Sequence, residues 1–170
     1  MDALQAILSR RSVRQYAQQP VPSDAVTQAL RAAMAAPSAG NEQAWQFVVL
    51  TDRSLLDRMA EIHPYAQMIR QAPVAVIVCG DLKREVHAGY WVQDCAAATE
   101  NLLLALHAQG LGAVWTGVYP REDRVAAIRA ALDLPEHIVP MALIPIGVPA
   151  ENPGPIDRYD ASRVHTNGWS

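Results

Sequence analysis

The sequence predicts one domain in which helices sandwich a single mixed sheet. Two observations predict this architecture. Apolar runs typical of strands, at 45–50, 74–79, 113–116 and 141–147, alternate with stretches in which apolar residues recur at helical spacing. The chain of 170 residues is long enough for a sizeable core and shows no internal repeat, so we expect a single domain over residues 1–170.

Two helices are predicted before the first strand. Asp2 is a suitable N-cap for a helix that ends at Arg10, and Ser23 can cap a second helix that ends before Pro37. Small and polar residues over 37–43 then predict a loop. This loop is either a plain connector or a segment that lets a flat ligand approach backbone amides.

The middle of the chain alternates helical and apolar segments. Helical spacing returns at 54–62, and a shorter helical piece is predicted within 65–72. The run at 74–79 is apolar throughout, as in strands that are buried on both faces. The segment 90–109 is the longest predicted helix, and it is apolar on almost every side. We therefore expect it to be buried in the core and in a subunit interface, with partners for its polar residues.

The last third adds a helix at 122–132 and a strand at 141–147. Pro145 interrupts this strand. Because proline donates no ladder hydrogen bond, we expect an edge position or a bulge there. The tail over 150–170 is rich in proline and polar residues and has no core pattern, so we expect it to wrap over another surface, such as a partner subunit.

Composition excludes several classes of protein. A net charge of −3 argues against a nucleic-acid binder. The five histidines show no metal-ligand spacing, so no metal site is expected. Cys79 and Cys95 form no C-x-x-C pair, and we expect buried free thiols in a reducing compartment. No signal peptide and no membrane-spanning run is evident, so a cytoplasmic location is expected.

A cluster of cations follows the first helix. Arg10, Arg11 and Arg14 lie within five residues, together with Ser12. Guanidinium groups suit phosphate and similar anions, which makes this cluster a candidate anion site. Cations are also favoured by the dipole at a helix C-terminus, so the pattern alone leaves both interpretations open.

Motifs for side-chain catalysis are absent. The sequence contains no G-x-S-x-G, no Walker loop and no complete G-x-G-x-x-G fingerprint. We therefore assign no catalytic side chain and expect that, in an enzyme of this kind, a cofactor performs the chemistry.

Five blocks together resemble the FMN-dependent nitroreductase family, in particular its compact members. They are RRSVRQY at 10–16, APSAGNEQ at 36–43, GLGAVWTG at 110–117, GVP at 147–149, and RYD…VHTNGW between 158 and 169. The blocks occur in the family's order and cover nearly the whole chain. The resemblance implies an α+β fold with a mostly antiparallel sheet. It also implies a homodimer with FMN at the subunit interface and a tail that extends over the partner subunit.

The resemblance also implies how each block contacts the cofactor. Arg10 and Ser12 match positions that hold the FMN phosphate and ribityl chain, Arg11 is a further contact, and Arg158 matches a phosphate-binding position. Four residues match a loop that is contributed by the other subunit, namely Pro37, Ser38, Ala39 and Asn41.

Three further residues match positions at the flavin ring. Arg14 matches the basic position near N1 and O2, where a fixed cation stabilises the charge of the reduced flavin. Thr116 and Gly117 match the segment whose backbone amide approaches N5. The segment 53–72 lies where relatives differ most in their lids.

The expected activity is a ping-pong oxidoreductase that takes hydride from NADH or NADPH and reduces nitroaromatics, quinones or similar flat, electron-poor acceptors. Three alternatives remain. The scaffold can carry another flavin reaction, such as dehalogenation, azoline oxidation or flavin fragmentation. The protein can be a flavin-binding or redox-sensing protein without turnover, or a plain interaction domain whose arginine cluster is a helix end.

Overall fold

The computed structural model describes residues 1–154 and 156–169. Over these residues the α-helices are α1 (Ala3–Ser9), α2 (Ser23–Met34), α3 (Arg53–Ile62), α4 (Trp91–Ala108) and α5 (Glu122–Ala131). The strands are β1 (Trp45–Leu50), β2 (Val74–Asp81), β3 (Gly112–Ala113), β4 (Thr116–Gly117) and β5 (Ile138–Gly147). Short 3₁₀ helices occur at Ala39–Asn41, Gln67–Arg70 and Ala161–Arg163. The predicted domain and tail also include positions 155 and 170, which lie outside the described residues.

The strands form one sheet in the order β1-β2-β5-β3, and β4 also pairs with β5. β5 is long enough for the two short strands to pair with different parts of the same edge. We expected a mixed, mostly antiparallel sheet. Every pairing among these strands is antiparallel, and the α+β fold is confirmed.

Helices cover both faces of the sheet, as predicted. Alternate residues of β2 point to opposite faces, so Val76 and Val78 pack with α2 and α4, whereas Ala75 and Ile77 pack with α3 and α5. All eight residues of β2 are buried, which confirms the prediction of a strand that is covered on both sides.

The helix α4 has polar partners for the residues that interrupt its apolar surface. Arg10 Nε lies 3.2 Å from Glu100 Oε1, and the Asn101 side-chain amide donates to the Ala32 carbonyl at 3.0 Å. These contacts attach α1 and α2 to α4, so the interruptions serve helix packing.

Two local predictions, the cap of α2 and the strand at 113–116, need correction. Pro22 occupies the N-cap position of α2 without a side-chain cap bond, and Ser23 is the first helical residue. By contrast, Asp2 caps α1 as predicted, because its carboxylate accepts from Gln5 N–H at 2.8 Å. The predicted strand at 113–116 is divided into β3 and β4, since residues 114–115 leave the ladder.

Pro145 was predicted at an edge or a bulge, but it lies in a central strand, opposite Ala75. The bulge of this sheet lies between Val78 and Cys79. Its carbonyl accepts from the Tyr16 hydroxyl at 3.2 Å on the edge of β5 that β3 and β4 share. In a strand the N and C=O of one residue point to the same side. The missing N–H therefore faces the gap between β3 and β4, where no ladder bond is required.

Among the described helices, none combines the length and the hydropathy that crossing a bilayer requires.

Candidate functional site

The stretch from Arg10 to Tyr16 runs beside the end of the sheet. Val13 N–H donates to the Ala113 carbonyl at 3.0 Å, and the Tyr16 hydroxyl donates to the Val13 carbonyl at 2.8 Å. Gly112 permits this close approach, because a Cβ at that position would lie 2.7 Å from Val13 Cγ1. The cation cluster is therefore held at a fixed place on β3.

The arginines of the cluster have different environments. Arg10 is largely buried against Glu100. The Arg11 guanidinium donates to backbone carbonyls, and two of these, Gly154 at 3.2 Å and Ile156 at 3.1 Å, belong to the tail. Arg11 thus joins the tail to the end of α1 within the same chain. Its predicted contact with a cofactor, and the predicted placement of the tail over a partner, stay predictions.

Three polar side chains near this stretch remain available for a ligand. Within residues 1–154 and 156–169, neither the Ser12 hydroxyl nor the guanidinium groups of Arg14 and Arg158 have a hydrogen bond or ion pair. Arg158 lines a cleft of about 580 Å³ together with Arg11 and the apolar face of α1. The cations along this cleft suit an anion.

Gly117 presents its backbone at the open edge of the sheet. Thr116 pairs with Leu143 and Gly117 with Ala142, and Val118 N–H donates to the Met141 carbonyl at 3.0 Å. Hydrogen-bonded pairs alternate along an antiparallel ladder, so the N–H and C=O of Gly117 point away from β5. A Cβ at Gly117 would meet no atom within 4 Å. A flat ligand can therefore lie against this face of the glycine without meeting a side chain.

Thr116 is turned into the sheet. Its hydroxyl donates to the Leu143 carbonyl at 2.6 Å and is buried. By the same alternation its N–H and C=O point toward β5, so its predicted contact with a cofactor stays a prediction.

Two residues that were not predicted from the sequence hold the Gly117 carbonyl. His63 Nε2 lies 2.8 Å and the Arg124 guanidinium 3.0 Å from this oxygen. His63 is buried, and desolvation, helped by the charge of Arg124, lowers its pKa. No local pattern marks either residue, since the His63 contact spans 54 positions of sequence.

The loop after α2 is tied to the first turns of α4 and the segment before it. Ala39 N–H donates to Asp94 Oδ1 at 2.9 Å, and the Glu42 carboxylate accepts from His87 N–H at 2.9 Å. Gly40 has a positive φ of 53°, and a Cβ there would lie 2.4 Å from the His87 ring. Among the predicted site residues, this loop carries Pro37, Ser38, Ala39 and Asn41.

Among the residues that the structure describes, no hydrogen bond joins this loop to the arginine cluster. Asp94 holds the loop, whereas Glu100 holds Arg10, and six residues of α-helix separate these anchors by roughly 9 Å along the axis. Both groups are nevertheless fixed to α4. The resemblance implies that the other subunit supplies this loop to the cofactor, and this stays a prediction.

Glu42 and Asp94 form a buried carboxyl pair that sequence analysis also missed. Glu42 Oε1 and Asp94 Oδ2 are buried, and in the described part of the chain no other group bonds to either oxygen. The two carboxyl groups lie within hydrogen-bonding reach of each other. Desolvation raises the pKa of Asp94, while the His87 backbone N–H lowers that of Glu42. A proton on Asp94 can satisfy both oxygens, and it would hold the loop in place.

The chemistry of these groups fits FMN. Phosphate suits the free cations and the Ser12 hydroxyl, and the open edge at Gly117 suits a flat ring with an acceptor atom. The stretch from Arg10 to Tyr16 is held by β3 and Gly117 lies in β4, whereas Arg158 lies in the exposed tail that Arg11 joins to the end of α1.

Comparison with known proteins agrees with this interpretation. The family model described as Nitroreductase family matches residues 7–63 and 61–148. A protein of Methanothermobacter thermautotrophicus, provisionally named NADH dehydrogenase/NAD(P)H nitroreductase, is 51% identical over 169 residues, which are 99% of this chain and 88% of that protein.

Solved structures agree closely with the fold. A crystal structure of a provisionally named NADH dehydrogenase/NAD(P)H nitroreductase from Parabacteroides distasonis superposes with a TM-score of 0.94 at 44% identity, covering 98% of each chain. A provisionally named nitroreductase from Desulfovibrio desulfuricans, solved in complex with FMN, gives 0.88 at 34% identity and covers 98% of this chain and 97% of that one. The chain therefore belongs to the nitroreductase family.

Proposed function

We propose that this protein is an FMN-dependent oxidoreductase that uses NADH or NADPH to reduce flat, electron-poor acceptors such as nitroaromatics and quinones. The observation that carries the proposal is the outward-facing N–H of Gly117, with open space above the glycine. The Arg14 stretch lies along the same edge of the sheet, because Val13 bonds to Ala113 of β3 and both β3 and β4 pair with β5.

The residues of the chain would divide the binding of FMN between them. Arg10, Ser12 and Arg158 would hold the phosphate and ribityl chain, with Arg11 as a further contact, and Arg14 would place a cation at N1 and O2 of the ring. When bound, FMN supplies N5, the atom that accepts and returns hydride. The Gly117 N–H would orient the ring at N5, while the absence of a side chain there keeps the ring accessible.

Both reactants would occupy the same face in turn. The nicotinamide and the acceptor would both need the ring face that lies next to the open space at Gly117, so the nicotinamide must leave before a flat acceptor can stack. This order of binding is a ping-pong mechanism. No side chain is needed as a proton donor for the hydride step, which agrees with the lack of a catalytic motif.

The complete site would form in a homodimer. We propose that Pro37, Ser38, Ala39 and Asn41 of one subunit contact the FMN that is held by the other subunit's arginine stretch. Exposed apolar residues on α1 support association, since Leu4, Ile7 and Leu8 are 71%, 54% and 69% exposed.

Steady-state kinetics of the FMN-reconstituted protein test the proposal. We expect parallel double-reciprocal lines when NADH or NADPH is varied at several concentrations of a nitroaromatic or a quinone. Intersecting lines would contradict the shared face. Flavin binding without turnover of any donor and acceptor would instead identify a flavin-carrying protein.

A further inference from the structure

We infer that His63 and Arg124 are positioning residues that fix the Gly117 backbone for the flavin reaction. The inference rests on the proposed function, because it is this function that gives the Gly117 N–H a ligand. It concerns residues outside the arginine cluster and the loop, and it assigns a task to the segment that follows α3.

The hydrogen bonds of His63 define its tautomer. Tyr65 N–H points at His63 Nδ1 over 3.3 Å, so Nδ1 is the acceptor. The proton of the neutral ring is then on Nε2, which donates to the Gly117 carbonyl at 2.8 Å. The ring is 1% exposed, so this bond is shielded from competing water. His63 therefore connects the 63–72 segment with the edge of the sheet.

Arg124 supplies the second donor from a different element. Its guanidinium lies 3.0 Å from the Gly117 carbonyl and 5.4 Å from the centre of the Tyr65 ring. The Tyr65 ring therefore helps to keep this side chain over the edge. Arg124 belongs to α5, whereas His63 follows α3, and these two helices pack against each other.

A glycine at an open strand end needs such restraint. The N–H and C=O of Gly117 receive no ladder bond from β5, and glycine has more backbone freedom than other residues. Two donors on the carbonyl fix the rotation of this residue and hence the direction of its N–H. A misdirected N–H would leave the flavin bound by its phosphate contacts but poorly oriented for hydride transfer.

Two amide variants of His63 separate positioning from packing. In His63→Gln the side-chain NH₂ can occupy the place of Nε2 and donate to Gly117, whereas in His63→Asn it is too short to do so. The variants are similar in polarity, so a general effect of replacing a buried ring is common to both. Arg124→Met removes the other donor at a less buried position, and Arg129→Met is its matched control, since Arg129 lies on the same helix and donates to the Ile138 carbonyl.

The first measurement is the backbone ¹⁵N order parameter of Gly117 in the protein without FMN, which reports how firmly the N–H direction is held. We expect about 0.85 in wild type, His63→Gln and Arg129→Met, as in rigid backbone. We expect a value below about 0.6 in His63→Asn and Arg124→Met, because each loses one donor on the Gly117 carbonyl. An order parameter that is the same in wild type and all four variants would overturn the inference.

The second measurement is the rate of flavin reduction by NADH or NADPH under anaerobic conditions. We expect His63→Asn and Arg124→Met to be reduced about tenfold more slowly, with FMN affinity within about threefold of wild type, and His63→Gln to regain most of the rate. Equal losses in His63→Asn and His63→Gln would overturn the inference alone. A wild-type protein that binds no FMN, or whose flavin neither nucleotide reduces, would overturn the proposed function and this inference with it.

Discussion

The replacement Gly112→Ala tests whether the arginine stretch is held by close packing on β3. The new Cβ would lie 2.7 Å from Val13 Cγ1, 2.9 Å from Val13 Cβ and 3.2 Å from Pro149 Cγ. Val13 is buried and β-branched, so it has little rotamer freedom with which to escape. The stretch must instead move away from β3 by about 0.7 Å to restore a contact of 3.4 Å.

This movement has a cost in stability and in binding. Overpacking of this kind destabilises by about 1–3 kcal/mol. The displacement also strains the bond from Val13 N–H to the Ala113 carbonyl, which places Ser12 and Arg14. If restoring their positions costs roughly 1.4 kcal/mol, FMN affinity falls by about tenfold.

Urea denaturation and fluorescence titration with FMN measure the two effects. Gly117→Ala is the matched control for stability, because its Cβ meets no atom within 4 Å and we expect a change below about 0.5 kcal/mol. Flavin reduction should be slower in Gly117→Ala, because the methyl group fills the open space at this glycine. A Gly112→Ala protein with wild-type stability and wild-type FMN affinity would refute the packing argument.

Three further predictions concern charge. Arg14→Gln should slow flavin reduction about tenfold while FMN affinity changes by less than about threefold, because the lost cation acts on the ring; unchanged rapid-mixing kinetics would remove this role. Burial raises the pKa of Asp94, so the stability that its protonated form contributes is lost as pH rises through this raised pKa. Asp94→Asn can accept from Ala39 and donate to Glu42, so we expect it to unfold at higher urea than wild type at pH 8 and by a smaller margin near pH 4; lower stability at pH 8 contradicts the shared proton. Burial lowers the pKa of His63, so its stability contribution is present above about pH 6.5 and is lost as pH falls through the lowered value. His63→Gln should flatten this acid limb in urea midpoints, and an unchanged limb would assign it to other groups.

Strands whose residue pattern is local in the sequence were predicted well. The strand over 45–50 and the run after residue 73 have the predicted positions, because both are rich in residues that favour strands and the second is buried throughout. Pro145 was misplaced, since its tolerance depends on the gap between two short strands that the sequence presents as one run. A proline at that gap has no ladder bond to lose.

The site was predicted in part, and the limits have a physical origin. From the local pattern, Arg10 could belong either to a helix end or to an anion site. In the structure Arg10 follows α1 and pairs with Glu100. The family resemblance supplied Gly117, and the strand pairing then explained why its N–H is outward. His63 and Glu42 were missed, because single histidines and carboxylates gain their partners only when distant elements meet.

Anaerobic titration of the FMN-reconstituted protein with NADH and with NADPH tests the central claim most directly. We expect the visible flavin absorbance to bleach completely at about one nucleotide per FMN with at least one donor, and a nitroaromatic or quinone to restore it. A protein that takes up no FMN, or whose bound flavin keeps its absorbance with both nucleotides, would contradict the account.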